Sequence, residues 1–250
     1  FHLASLSSVA YSFQNPREVL LTNLGAAVNV LEAVRQVAPA ARVLVVGSAE
    51  QYGNVPEAEQ PIRETQPCRP ASPYAVSKVA QEHLALQYAR AFGLHVVATR
   101  SFNHSGPGQS DRFVLPSFAR QVALAERGAQ APVLRVGNLD VGRDFLDVRD
   151  VVRAYVQLAE QGEPGTAYNV CRGEAPRVRD LLDALLRLAA VPLRVETDPA
   201  RARPADLPVL RGDPSRLRER TGWQPAIPLT ATLHDILDDW RRRTSEGGAA

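Results

Sequence analysis

"RVLVVGSAEQYG", residues 42–53, decides the fold. Four consecutive aliphatic residues, Val43 to Val46, leave no polar position between Arg42 and Gly47. A strand wet on one face would alternate, whereas a continuous β-branched run marks a strand buried on both faces, as in a parallel sheet. Parallel strands need long crossovers, and the flanking sequence supplies them. Upstream, Asn15-Pro16 reads as an N-cap with proline at the first helical position, which predicts a helix to about Val37. Downstream, Ser72-Pro73 repeats that start, and Gly93 suits the C-terminal stop of the helix it opens. "LHVVATRSF" (94–102) is the next buried strand, and residues 1–4 read as the end of another. The expectation is an α/β domain built on a parallel sheet.

Beyond Asn103 the alternation loosens. "HSGPGQSDRF" is turn-rich, and helices are predicted over 113–127, 147–161 and 176–189 among the short strands "VLRVG", "AYNVC" and "LRVET". Asp213-Pro214 marks another helix start, and "PLTATLHDILDDWRRR" reads as a final amphipathic helix. Residues 1–103 with about 143–162 are expected to form the first domain. Residues of about 104–142 with 163–250 are expected to form a second, smaller α/β domain.

Composition narrows the function classes. The 250 residues are 45% hydrophobic and 22% charged, ordinary for a globular protein. A net charge of +2 gives no reason for a nucleic-acid partner, and Arg241-Arg242-Arg243 reads as the last turn of a helix, where cations suit the dipole. Cys68 and Cys171 are isolated, so neither a metal site nor a disulfide framework is expected. No apolar run approaches the length of a membrane span, no membrane partner is expected, and the cytoplasm is the default expectation for its location.

The chemistry gathers around "SPYAVSKVAQEHL" (72–84), which holds the only lysine, Lys78, among 29 basic residues. In a chain that uses arginine almost everywhere, one retained ammonium is either chance or a demand for a compact charge on a flexible stem. Tyr74 and Lys78 stand four apart on a helix and share a face. Ser48 follows a buried strand, at the carboxyl edge where open α/β sheets bind ligands. A nearby ammonium favours a phenolate, and a serine hydroxyl can both donate and accept. The three together can move a proton to or from a substrate oxygen.

These residues, with "FHLASLSSV", "GSAEQYG", "RSFNHSGPGQ", "GNLDVGRDFLDVRDVVRAY", "YNVCRGE" and "DPSRLRERTGWQPAIPL" in order, resemble the extended short-chain dehydrogenase/reductases that act on nucleotide sugars. The resemblance implies a Rossmann-like parallel sheet, NADPH as cofactor with NADH open, a GDP-sugar substrate, and a homodimer joined through helices 16–37 and 73–92. It also implies that Lys78 lowers the Tyr74 pKa and holds the nicotinamide ribose. Leu3, Ala4 and Ser5 would pass under the cofactor, and His104 would line the nicotinamide pocket. Asn103, Phe113, Val114, Arg143, Arg203 and Asp206 would meet the GDP-sugar. Asn23 would complete the catalytic set, although a satisfied polar core residue reads equally well. Glu50 is either a base or a solvated turn residue. His2, His83, His95 and His234 read as structural.

Within that family the blocks look closest to the GDP-4-keto-6-deoxymannose reductases, which would make GDP-D-rhamnose. The GDP-mannose 4,6-dehydratases come second, and a non-catalytic sugar-nucleotide binder third. The family's G-x-x-G-x-x-G pyrophosphate loop does not occur here; "HSGPGQ" follows the wrong strand and is expected to be a turn. "FHLAS" matches the family's fourth strand, so the chain is expected to be truncated at its N-terminus by three strands and their helices.

Overall fold

The computed structural model describes residues 1–201 and 208–246. In chain order the first half forms α1 (Val9–Gln14), α2 (Pro16–Val37), β1 (Val43–Val46), α3 (Pro73–Phe92), β2 (Val96–Ser101), β3 (Asn103–Ser105) and α4 (Val114–Glu126). There follow β4 (Val133–Val136), β5 (Gly142–Arg143), β6 (Phe145–Asp147), α5 (Val148–Gln161), β7 (Ala167–Val170) and α6 (Val178–Leu186). The last elements are β8 (Arg194–Thr197), β9 (Val209–Leu210), α7 (Ser215–Thr221) and α8 (Leu229–Glu246).

The first compact unit comprises 1–102, 151–173 and 212–224. Its sheet is parallel, in the order β1-β2-β7, with Val43 opposite Val96 and Ala98 opposite Ala167. On the other side of β1, His2 makes a parallel bridge to Val45, its N–H donating to the Leu44 carbonyl at 2.8 Å. The strand end expected over 1–4 is therefore one paired residue. All six residues of β2 and all four of β7 are buried, the polar Thr99, Arg100, Ser101 and Asn169 among them. Leu31 of α2 and Ala85 and Tyr88 of α3 pack with Val43, Val45 and Val96.

The helix starts are as the sequence reads. Pro16 opens α2, and the Ser72 hydroxyl caps α3 by accepting from Ala75 N–H at 3.1 Å. Gly93 ends α3 at φ 66°, a conformation that favours glycine. The short α1 was not foreseen, because a six-residue helix is too short to show a period.

The domain boundaries differ from those expected. "AYNVC" joins the first unit as its third strand, since a short buried run looks the same whichever sheet it enters. Residues 212–224 stay there too, tied by Asn169 Nδ2 to the Asp213 carbonyl at 3.3 Å and by Arg63 Nε to Asp213 Oδ2 at 3.0 Å. Residues 143–150 instead belong to the second unit, where β5 pairs with β9 and β6 with β3.

The second unit, 103–150, 174–211 and 225–250, adds the parallel pair β4-β8 and wraps α4, α6 and α8 around a core that includes Phe118, Leu134, Leu182, Leu237 and Trp240. Arg241 does more than suit a helix dipole. It binds Glu126 of α4 in a fork, Nε to Oε2 and Nη2 to Oε1, both at 2.8 Å.

Gly47 is a tight point beside the candidate site. A Cβ there would stand 2.2 Å from the Thr99 carbonyl oxygen and 2.4 Å from Gln51 Oε1. Gly47→Ala is expected to destabilise the protein by roughly 1–3 kcal/mol, as overpacking does, read as a lower urea midpoint at unchanged slope.

Candidate active site

Ser48 leaves the end of β1 in extended conformation, φ −149° and ψ 146°, and caps the single 3-10 turn Ala49–Tyr52. Its hydroxyl oxygen accepts from Glu50 N–H at 3.2 Å, and its own N–H donates to Gln51 Oε1 at 2.8 Å. The capping role and the proposed chemical one coexist: with its oxygen accepting from the backbone, the hydroxyl proton remains available to an oxygen outside the turn.

Tyr74 and Lys78 lie on the buried face of α3, 8% and 3% exposed. Burial pushes the Tyr74 phenol up to about 12, while the Ser48 hydroxyl beside it works the other way and the Glu50 carboxylate adds to the rise. Burial alone pulls the Lys78 ammonium down to about 8. In the resting site burial outweighs the lowering of the phenol pKa expected of Lys78. The ammonium stands 5.9 Å from the centre of the Tyr74 ring and gives its hydrogen bond, at 2.9 Å, to the Val46 carbonyl. Desolvation dominates both groups, so near neutral pH the phenol carries its proton and the amine its charge.

Asn23 is fully buried on α2. Its amide clasps Leu6 from both sides, accepting from N–H at 2.7 Å and donating to C=O at 3.1 Å, and also donates to Ser77 Oγ at 2.9 Å. Its backbone carbonyl accepts from Gln81 Nε2 at 2.8 Å. Asn23 is thus satisfied as a polar core residue, and it fixes the segment that follows Leu3, Ala4 and Ser5. Leu3 is 59% exposed, directly after the residue whose carbonyl accepts from Val46 N–H.

Those features fit the ribose end of a nicotinamide cofactor. Lys78 uses one of its three N–H donors on Val46, and Leu3 and Ala4, which follow the residue bridged to β1, are exposed. His2, read as structural, is buried beside Lys78, and its pKa is lowered by burial and then by that charge.

The remaining predicted residues belong to the second unit. Asn103 and His104 are half-buried on β3, opposite Phe145 and Leu146 of β6. "HSGPGQ" is the turn expected: Gln109 closes it by donating to the His104 carbonyl at 3.2 Å. Phe113 and Val114, 44% and 37% exposed, open α4, and Arg143 on β5 donates to the Gly142 carbonyl at 2.8 Å. Arg203 and Asp206 lie outside the described residues. Among the described residues, no cluster of His, Cys, Asp and Glu could hold a metal ion, and no helix is long and apolar enough to cross a membrane.

Sequence reading missed what stands behind Ser48. Gln51, Glu82 and Arg100 are all buried and joined to one another. A signal was present: Glu82 follows Lys78 by four residues, which puts a second charge on the face of α3 that carries Tyr74.

A parallel sheet with a strand-end serine, and a helix presenting tyrosine and lysine one turn apart, is the Rossmann-type fold and site of a short-chain dehydrogenase/reductase. A model of the GDP-mannose 4,6 dehydratase family matches residues 1–236, and the chain belongs to that family. GDP-6-deoxy-D-mannose reductase of Pseudomonas aeruginosa is 44% identical over 245 residues, covering 98% of this chain and 81% of that protein. GDP-mannose 4,6 dehydratase 1 of Arabidopsis thaliana is 30% identical, covering 96% and 66%. Among solved structures, RMD from Pseudomonas aeruginosa complexed with NADPH aligns with a TM-score of 0.92 at 42% identity, over 96% of this chain and 80% of that one. The UDP-glucose 4-epimerase of Thermus thermophilus, complexed with NAD, aligns with a TM-score of 0.83 at 31% identity, over 96% and 76%.

Because the chain has one lysine, its ammonium can be followed alone. A carbon-13 lysine label should titrate with a midpoint near 8, where burial puts it. A midpoint at the ordinary solvated value of about 10.4 would mean that the ammonium is not desolvated.

Proposed function

We propose that this protein reduces the C4 keto group of GDP-4-keto-6-deoxy-D-mannose to give GDP-D-rhamnose, with NADPH. The observation that carries the proposal is the pairing of a protonated Tyr74 with a charged, buried Lys78 beside the Ser48 hydroxyl, joined to 44% identity with a GDP-6-deoxy-D-mannose reductase. When bound, NADPH supplies the hydride for C4. Ser48 donates a hydrogen bond to the C4 oxygen, and Tyr74 gives that oxygen its proton. Lys78 stabilises the phenolate left behind and holds the ribose hydroxyls. Asn103, His104, Phe113, Val114 and Arg143 would bind the nucleotide sugar and line its pocket, the guanidinium of Arg143 suiting diphosphate oxygens.

The protein would act in the cytoplasm as a homodimer. Leu21, Leu24 and Val28 form an exposed apolar stripe on α2, and Val76 is exposed on α3. That pattern supports a partner helix pair there, as the family resemblance implies.

One observation favours a second reading, the 4,6-dehydratase. Glu50 makes no side-chain hydrogen bond among the described residues and lies near enough to Tyr74 to raise its pKa. A dehydratase needs such a carboxylate to take the C5 proton, whereas a reductase removes no proton from carbon.

The discriminating experiment offers the protein both sugars, the 4-keto sugar and GDP-mannose, with NADPH. The expected result is net NADPH consumption with the 4-keto sugar and no dehydration of GDP-mannose. Glu50→Gln should then slow turnover by less than about tenfold, and Tyr74→Phe by about 10²-fold or more, the scale of a lost general acid. Lys78→Arg should lose most activity although it keeps a charge, because a planar guanidinium cannot occupy the same point. Conversion of GDP-mannose without net cofactor change, abolished by Glu50→Gln, would establish the dehydratase instead. The reduction should also have a pH dependence of definite sign. Lys78 is charged below its midpoint, so turnover should hold below about 8 and fall as the pH rises through it. A rate that is flat to about pH 10, the ordinary lysine value, would remove Lys78 from the proton transfer.

A further inference from the structure

Both ends of the fully buried Gln51 amide are engaged. Oε1 accepts from the Ser48 N–H at 2.8 Å, and Nε2 donates to Glu82 Oε2 at 2.8 Å. Glu82, itself buried, takes Arg100 Nε at 2.9 Å on Oε2 and Arg100 Nη2 at 2.7 Å on Oε1. Arg100 is fixed in β2, donates through Nη1 to the Glu64 carbonyl at 3.0 Å, and lies 4.9 Å from the centre of the Tyr52 ring. Gln51, Glu82, Arg100 and Tyr52 have no part in the proposed reaction.

Stability alone gives a weak reason for the pair, because a buried ion pair can often be replaced by apolar side chains without loss. What apolar packing cannot supply is a directed acceptor at a fixed point. Glu82 stands one helical turn beyond Lys78 and two beyond Tyr74 on the same face of α3. A side chain held by Glu82 is therefore held in register with the tyrosine and the lysine. Gln51 passes that register to Ser48. In an ordinary capping box glutamate serves as well as glutamine. Here glutamate would bring a second carboxylate against Glu82, and only the amide can accept from Ser48 and donate to Glu82 at once.

We infer that Gln51, anchored by the Glu82–Arg100 pair, is a positioning residue that sets Ser48 against Tyr74. The inference rests on the reading of Ser48, Tyr74 and Lys78 as the reacting set, and it holds for reduction or dehydration alike. Gln51→Leu should lower kcat by about tenfold or more, since small misplacements of reacting groups are costly, and should leave KM within about threefold. In a Ser48→Ala background the same substitution should change kcat by less than about twofold, because Gln51 acts only through Ser48. Equal losses in both backgrounds, or no loss in either, would overturn the inference. Turnover is measured on whichever substrate the unsubstituted protein converts, so an error in the proposed function appears there and not in the cycle. Should Gln51→Leu lack a cooperative melt, amide exchange in the unsubstituted protein decides. The Ser48 N–H must exchange as slowly as the core amides of β1, and fast exchange would reject the bridge.

Discussion

Three ionisable side chains, Tyr74, Lys78 and Glu82, recur every fourth residue on the face of α3 that the unit buries. Taking charges out of water is expensive, and each must be compensated where it lies. The surrounding structure can be read as three such compensations. Glu82 receives a bidentate guanidinium from β2, Tyr74 meets the Ser48 hydroxyl, and Lys78 meets the last carbonyl of β1. Gly47 follows that carbonyl because the chain must pass within contact of Thr99 and Gln51 as it turns into the 3-10 segment.

The compensation is unequal, and the inequality has a chemical use. Arg100 and Glu82 cancel, whereas Lys78 has a carbonyl dipole and, among the described residues, no counter-charge. The helix face thus retains a positive charge away from water, beside a phenol that is neutral at rest. A phenolate forming on Tyr74 would be stabilised by that charge without rearrangement, which is how preorganised sites favour transition states. The raised Tyr74 and lowered Lys78 pKa values describe the resting site: burial penalises a lone charge on either group, and a phenolate formed beside the ammonium would offset part of both penalties.

The parts of this architecture that follow from periodicity were legible in the sequence. Unbroken runs such as Val43–Val46 announced buried parallel strands, and the paired Asn15-Pro16 and Ser72-Pro73 starts announced α2 and α3. Two kinds of feature were not. The membership of β7 depends on which sheet a four-residue run joins, and nothing in "AYNVC" encodes that. The Gln51–Glu82–Arg100 bridge depends on residues 31 and 18 apart meeting in space. One of its members could have been noticed: a glutamate on the buried stripe of a helix needs a partner, and Arg100 is an arginine inside a strand buried along its whole length. Asn23 shows the limit of such reading: its amide holds Leu6 and Ser77, as ordinary core chemistry would have it, and that engagement decides nothing about the family role.

The family contains both dehydratases and a reductase relative, and one scaffold can serve both. Either reaction needs a hydroxyl at the C4 oxygen, a phenol that exchanges a proton with it and an ammonium that accepts the resulting phenolate. Dehydration needs more: hydride taken from C4 and returned to C6, the C6 hydroxyl lost as water, and a base for the C5 proton, which is the part that Glu50 could supply. Glu50 follows Ser48 by two residues in the same turn, so the backbone that presents the serine also presents the carboxylate. Turn geometry thus cannot separate the two reactions. What separates them is whether the carboxylate reaches C5 of the bound sugar, and that depends on how the substrate is seated. On this argument the reaction type is set by the residues that grip the nucleotide sugar, while the proton-transfer apparatus on α3 is common to both.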